Sequence, residues 1–255
     1  MRKKLIVANW KMNFTVPEAL KYLAAFRREM QVGYPECEIV ICPPFTTLFA
    51  FDEAIEGTPL KLGAQNMHWE ETGAFTGEIS PQFLKDLNVN YVLLGHSERR
   101  HIFGETDIMV NKKLSMALQQ KLNPIVCVGE TDAEHKEGKT FEVVERQIKK
   151  ALDGQMRSDL ENLSWAYEPV WAIGTGKNAT PEQAQEVSQW MRRLIAKIFD
   201  TPTSEKMRIL YGGSVSDEKA RGFLDQPDID GLLVGGASLD PKKFAGIILA
   251  TETTQ

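Results

Sequence analysis

The sequence predicts a single (β/α)8 barrel spanning residues 1–255. Three observations point there. Eight short apolar, β-rich runs recur along the chain, at residues 5–10, 38–42, 60–65, 91–95, 124–129, 164–167, 207–211 and 231–234. They run apolar without alternation, as strands buried on both faces of a parallel sheet do. Most are separated by segments of helical periodicity, and no Pro/Gly/Ser-rich linker or shift in composition divides the chain. A doubly wound open sheet is the alternative arrangement of the same elements.

Taken in order, five of the eight strands lead into turns with chemistry in them. The first ends at Asn9-Trp10-Lys11, before a helix predicted over 17–30. Strands follow at 38–42 and 60–65, the latter opening a long loop to Glu78 that carries Met67, Trp69 and Phe75. The fourth ends at Gly95-His96-Ser97-Glu98, ahead of a helix over 107–120; the fifth, at 124–129, precedes a helix over 141–152. The sixth ends at Glu168, where Pro169 breaks the strand. A connection then runs to Thr180, a candidate N-cap with Pro181 at the first helical position and Gln183 completing a capping box. That helix is predicted over 181–199. The seventh strand ends at Tyr211-Gly212-Gly213-Ser214 before a helix over 217–223, and the eighth at Gly235-Gly236.

Composition narrows the function. A net charge of −5 argues against general nucleic-acid binding, which needs a basic face, so positive charge for any anionic ligand must be local. The apolar run after Lys4 stops at Asn9, too short for a signal peptide, and no stretch has the length of a membrane span. Three cysteines, an odd count without a leader, suggest reduced thiols in the cytoplasm; Cys127 reads as a packing residue rather than a nucleophile. The four histidines show no metal-ligand spacing. Gly174 and Gly176 imitate a dinucleotide fingerprint but do not open a helix.

Active sites of this fold lie at the C-terminal ends of the strands, and the candidate residues fall there. Lys11 closes a buried strand, so its ammonium is expected in the barrel mouth. His96 precedes a helix start, where extra positive charge is disfavoured, so a neutral imidazole is expected. Glu168 stands at a strand end beneath a candidate lid at 169–179. The Gly-rich turns at Ser214 and at Gly235-Gly236 can present backbone N–H groups to a phosphate. One carboxylate, one imidazole, one ammonium, phosphate-binding backbone and a lid suit proton abstraction beside a carbonyl, with neither metal nor organic cofactor. Another cofactor-independent phosphosugar barrel enzyme, or a non-catalytic barrel protein, remains an alternative. Whether Glu98 and Glu130 are catalytic or structural is open; Glu98 is placed to pair with Lys11.

At these residues the chain resembles the triosephosphate isomerase family, essentially end to end. The matching segments are Ala8-Asn-Trp-Lys-Met-Asn13, Gly73-Ala-Phe-Thr-Gly-Glu78, Gly95-His-Ser-Glu-Arg-Arg100, Ala166-Tyr-Glu-Pro-Val-Trp-Ala-Ile-Gly-Thr-Gly176, Tyr211-Gly-Gly-Ser-Val215 and Leu233-Val-Gly-Gly-Ala-Ser-Leu239. The resemblance implies a TIM barrel that interconverts dihydroxyacetone phosphate and D-glyceraldehyde 3-phosphate in glycolysis and gluconeogenesis. It gives Asn9 and Lys11 to substrate binding, His96 to the electrophile and Glu168 to the base. It gives Gly174, Ser214, Gly235 and Gly236 to the phosphate. It also implies a homodimer in which Thr76, at the tip of the loop after the third strand, approaches the neighbouring subunit's active site near Asn13 or Lys11. Aromatics expected to be exposed on that loop give a physical reason for a partner to cover it.

Overall fold

The computed structural model describes residues 2–172 and 179–252. Eight parallel strands close on themselves in chain order: β1 Leu5–Asn9, β2 Glu38–Cys42, β3 Leu60–Ala64, β4 Tyr91–Leu94, β5 Asn123–Val128, β6 Ser164–Tyr167, β7 Arg208–Tyr211 and β8 Gly231–Val234. Closure is made by β1 against β8, with Leu5 opposite Gly231 and Ala8 opposite Val234. Each predicted strand is present within a residue or two. The (β/α)8 barrel replaces the open-sheet alternative, because a doubly wound sheet would leave two unpaired edges and here every strand is paired on both sides.

Alternation along the strands sorts side chains into two layers. Leu5, Val7, Val40, Leu93, Ile125, Cys127, Ala166, Leu210 and Leu233 form one buried cluster, filling the barrel. Their neighbours in sequence, such as Ile6, Ala8, Val92, Val126, Trp165, Ile209 and Leu232, belong to the second cluster beneath the helices. The strands read as continuously apolar because each face meets one of these layers. The inward parity continues past the strand ends: Asn9 follows Leu5 and Val7, Glu168 follows Ala166, Gly212 follows Leu210, and Gly235 follows Leu233. The sequence therefore aims these positions at the mouth before any loop geometry is added.

The long helices Val16–Glu29, Asp107–Gln119, Thr140–Leu152, Pro181–Ile198 and Asp217–Leu224 lie where periodicity puts them. Thr180 caps its helix as expected, with its hydroxyl accepting from the Gln183 N–H and the Gln183 side chain accepting from the Thr180 N–H. Periodicity misses short helices such as Pro81–Asp86 and Thr201–Lys206, which are too brief to show a repeat, while the helix start expected after His96 is present as Ser97–His101. The loop after β3 differs from expectation. Met67 is fully buried, and Trp69 is half-buried with the Lys112 ammonium 5.3 Å from its ring centre. The His68 ring lies near both Trp69 and Phe75, at centroid distances of 4.2 and 4.4 Å. The exposed stretch is 72–78, toward the tip; it includes Thr76, and Phe75 is its exposed aromatic. The apolar side chains at the loop's base pack on this chain rather than awaiting a partner.

Candidate active site

At the C-terminal end of the barrel, Asn9, Lys11, His96, Glu168, Ser214, Gly235 and Gly236 line one cavity of about 250 Å3, with Gly212, Gly213, Val215, Leu233 and Ala237. Residues from β1, β4, β6, β7 and β8 thus converge, as the strand-end pattern requires. Thr76 does not line this cavity. Gly174 and most of the candidate lid, 173–178, lie outside the described residues.

Lys11 reaches the cavity through an unusual backbone. Its φ of +53° is left-handed, a conformation a lysine adopts only when its surroundings hold it. Asn9 Oδ1 accepts the Lys11 N–H at 3.0 Å, while Gln65 Nε2 donates to the carbonyls of Lys11 and Cys42 at 2.8 and 2.9 Å. The ammonium then pairs with Glu98 Oε1 at 2.7 Å, and both side chains are partly exposed. Glu98 therefore answers Lys11, as its position in the sequence allows.

His96 caps the short helix Ser97–His101: its Nδ1 accepts the Glu98 N–H at 3.3 Å. With Nδ1 placed to accept, Nε2 is the ring nitrogen left to donate. That Nε2 lies 3.1 Å from Glu168 Oε1. The turn that positions it is itself tied down. Arg100 Nε donates to the Gly95 carbonyl at 2.8 Å, and buried Glu105 accepts the Gly95 N–H at 3.3 Å while pairing with Arg99 and Lys113.

Glu168 is 2% exposed. Besides His96, its carboxylate accepts from the Ser97 N–H at 3.0 Å and the Ser97 hydroxyl at 3.2 Å. Ser97 is a partner that sequence reading marked only as part of a helix start; nothing local in the sequence joins it to a residue on another strand. Gly212 makes room for this side chain, since a Cβ there would stand 2.8 Å from Glu168 Cγ. Cys127 lies below in the barrel, where burial, with the Glu168 carboxylate beside it, pushes its thiol well above the ordinary range. A thiol held protonated is a packing group, not a nucleophile.

Glu130 is also fully buried. It accepts from Trp171 Nε1 at 2.8 Å, from the Tyr167 hydroxyl at 3.1 Å and from the Thr140 hydroxyl at 3.1 Å. It does not line the cavity, and its contacts are those of an anchor for the segment that follows Glu168. Among the described residues no group of three or more His, Cys, Asp or Glu side chains is placed to hold a metal ion. None of the described helices is long and apolar enough to cross a membrane.

A buried carboxylate, an imidazole and an ammonium around one cavity, beside two glycine-rich turns, define a barrel protein equipped for acid–base chemistry on a small anion. The sequence model of the triosephosphate isomerase family matches residues 4–251. Triosephosphate isomerase of Dictyoglomus turgidum is 54% identical over 248 residues, covering 97% of this chain and 99% of that protein. The proteins of the same name from Carboxydothermus hydrogenoformans and Aquifex aeolicus are each 51% identical, covering 97% and 96% of this chain and 98% of their own lengths. The chain belongs to the triosephosphate isomerase family.

Proposed function

We propose that the mouth of this barrel interconverts dihydroxyacetone phosphate and D-glyceraldehyde 3-phosphate. Glu168 is the base that takes a proton from the carbon next to the carbonyl. His96 Nε2–H donates to the carbonyl oxygen as it gains negative charge, and Lys11 opposes the charge of the enediolate and of the phosphate. The proton of the neighbouring hydroxyl passes to the former carbonyl oxygen, and Glu168 returns the abstracted proton to the former carbonyl carbon, which completes the exchange of ketose for aldose. Asn9 helps hold substrate, and the turns at Ser214 and Gly235-Gly236 receive the phosphate, with Gly174 of the lid at 169–179 closing over it.

The observation that carries this reading is the convergence of Glu168, His96 Nε2 and Lys11 on one cavity within a chain of this family. In the arrangement described, Glu168 is engaged by Ser97, so abstraction requires one carboxylate oxygen to leave Ser97 for the substrate carbon. A coupled assay tests the reading: protein and dihydroxyacetone phosphate, with aldehyde formation followed without added metal or cofactor. No aldehyde from folded protein would refute it.

The whole of 1–255 acts as one catalytic domain in the cytoplasm, and it works as a homodimer. Exposed Phe75 and Thr76, together with Met12 at 96% exposure beside Lys11, support the dimer. A carboxylate introduced by Thr76→Glu would be buried without a partner, weakening association by several kcal/mol, on the order of 3. Sedimentation showing an unchanged tight dimer would displace Thr76 from the interface.

A further inference from the structure

The helix Thr140–Leu152 turns an apolar face inward through Val143, Val144, Ile148 and Ala151, with one exception. Gln147 sits on that face and is 3% exposed. A long amide in such a place is costly unless both its ends are satisfied. Both are, and by one residue: the Gly129 N–H donates to Gln147 Oε1 at 2.7 Å, and Gln147 Nε2 donates to the Gly129 carbonyl at 3.1 Å.

The strand pattern explains why Gly129 needs this. In a parallel ladder, successive residues turn their peptide groups to opposite neighbours. The Val128 carbonyl bonds to the Glu168 N–H at 2.8 Å, and the Glu130 carbonyl to the Val170 N–H at 3.1 Å, so both face the continuation of β6. Gly129 between them must face the β4 side. But β4 has ended at Leu94, whose partner is Val126. Gln147 supplies the hydrogen bonds of the strand that is no longer there.

The other surface of Gly129 bears directly on Glu168. A Cβ at residue 129 would stand 1.8 Å from the Glu168 carbonyl oxygen and 2.6 Å from its carbonyl carbon. The two main chains are in contact with nothing between them. We infer that Gln147 is a positioning residue for Glu168: by holding the two peptide groups that flank Gly129, it fixes the main chain against which the Glu168 carboxylate is presented. The inference rests on Glu168 being the base.

The test is a double-mutant cycle with Gln147→Met and Glu168→Asp, read as kcat, KM, inhibition by inorganic phosphate and melting temperature. Gln147→Met keeps the bulk and removes both hydrogen bonds. Its kcat should fall about tenfold through loss of near-attack geometry, with KM and phosphate inhibition little changed, since Gln147 lines no part of the cavity that holds the phosphate turns. In the Glu168→Asp background, where the carboxylate is already misplaced, the same change should cost less than about twofold. A folded Gln147→Met protein with full kcat overturns the inference, whatever its melting temperature. So does an undiminished tenfold loss added to Glu168→Asp, because a role exercised through Glu168 cannot be additive with its displacement. If Gln147→Met does not fold, Gln147→Glu enters the same cycle, keeping an acceptor for the Gly129 N–H but setting an oxygen against its carbonyl. Full kcat in Glu168→Asp alone would instead remove Glu168 as the base, a failure distinct from either of these.

Discussion

The two ends of the barrel hold the same kinds of charged side chain in opposite states. At the N-terminal end, Arg192 spends its guanidinium on Asp228 and Asp230, each at 2.7 Å, and on the carbonyls of Ser204 and Met207. Asp230 in turn accepts from Arg2 and from the Ile209 N–H. Around the first residues of β2, β4 and β7, Arg208 bonds Glu38 and Tyr91, and Lys61 reaches the same glutamate at 3.1 Å. At the C-terminal end, Lys11 meets the single half-exposed carboxylate of Glu98, beside a cavity. Charges at the floor are saturated by one another and close the barrel. Lys11, which lines the cavity, keeps a partner that a ligand can replace. A salt bridge is thus a structural or a functional feature according to what else surrounds it, not according to its length.

The sharpest way to break that contrast is to treat the two ends alike. Arg192→Met removes a buried cation, takes from Asp228 and Asp230 the guanidinium they share, and leaves the carbonyls of Ser204 and Met207 without that donor. Losing one partner of such a buried set costs roughly 3–5 kcal/mol. The melting temperature should fall steeply, while kcat measured on protein still folded should be unchanged. A variant of near-normal stability would show that the floor network is not what holds this end together.

Lys11→Met is the mirror experiment. A half-exposed pair contributes about 0–1 kcal/mol, so the melting temperature should barely move. Activity should fall roughly 10²-fold or more, with substrate binding weakened as well, because the ammonium opposes charge that grows in the transition state. A variant with near-normal kcat/KM would remove Lys11 from the chemistry. One that is strongly destabilised would make Lys11 a floor-type residue at the wrong end.

This division also marks how far the sequence could be read. Residues at the mouth were legible because each closes an apolar run: Asn9, Lys11, Glu168 and Gly235 all follow a strand, and parity then points them inward. What joins them was not. Ser97 to Glu168 and Gln65 to Lys11 are contacts between residues 71 and 54 positions apart, set by barrel closure rather than by any local pattern. Gln147 did leave a trace, a polar side chain on the apolar stripe of its helix, although its partner Gly129 could not be guessed. At the floor, Arg192 and Asp230 look like ordinary surface charges until β7 and β8 bring them together. The loop after β3 misled for a related reason: Met67 and Trp69 read as exposed because a loop's own packing has no periodic signature.

Acid gives the mildest test and the most specific one. Burial alone would raise the Glu38 carboxyl, but hydrogen bonds from Arg208 and Tyr91, the Arg208 charge and Lys61 outweigh it and hold the group at about 2. Its ordinary value is 4.5. Because the folded value lies below the unfolded one, the stabilisation is fully present above pH 4.5 and is lost as pH falls toward about 2. The contribution at neutral pH is on the order of 3 kcal/mol, an upper figure since other carboxylates titrate alongside. Glu38→Gln cannot ionise, so the melting temperature of the variant should fall less between pH 5 and pH 2 than that of the parent. The difference between the two curves, rather than either curve, isolates Glu38. Parallel curves across that window would mean that Arg208 and Lys61 do not depend on the charge of Glu38, and the floor would then be held by hydrogen-bond geometry alone.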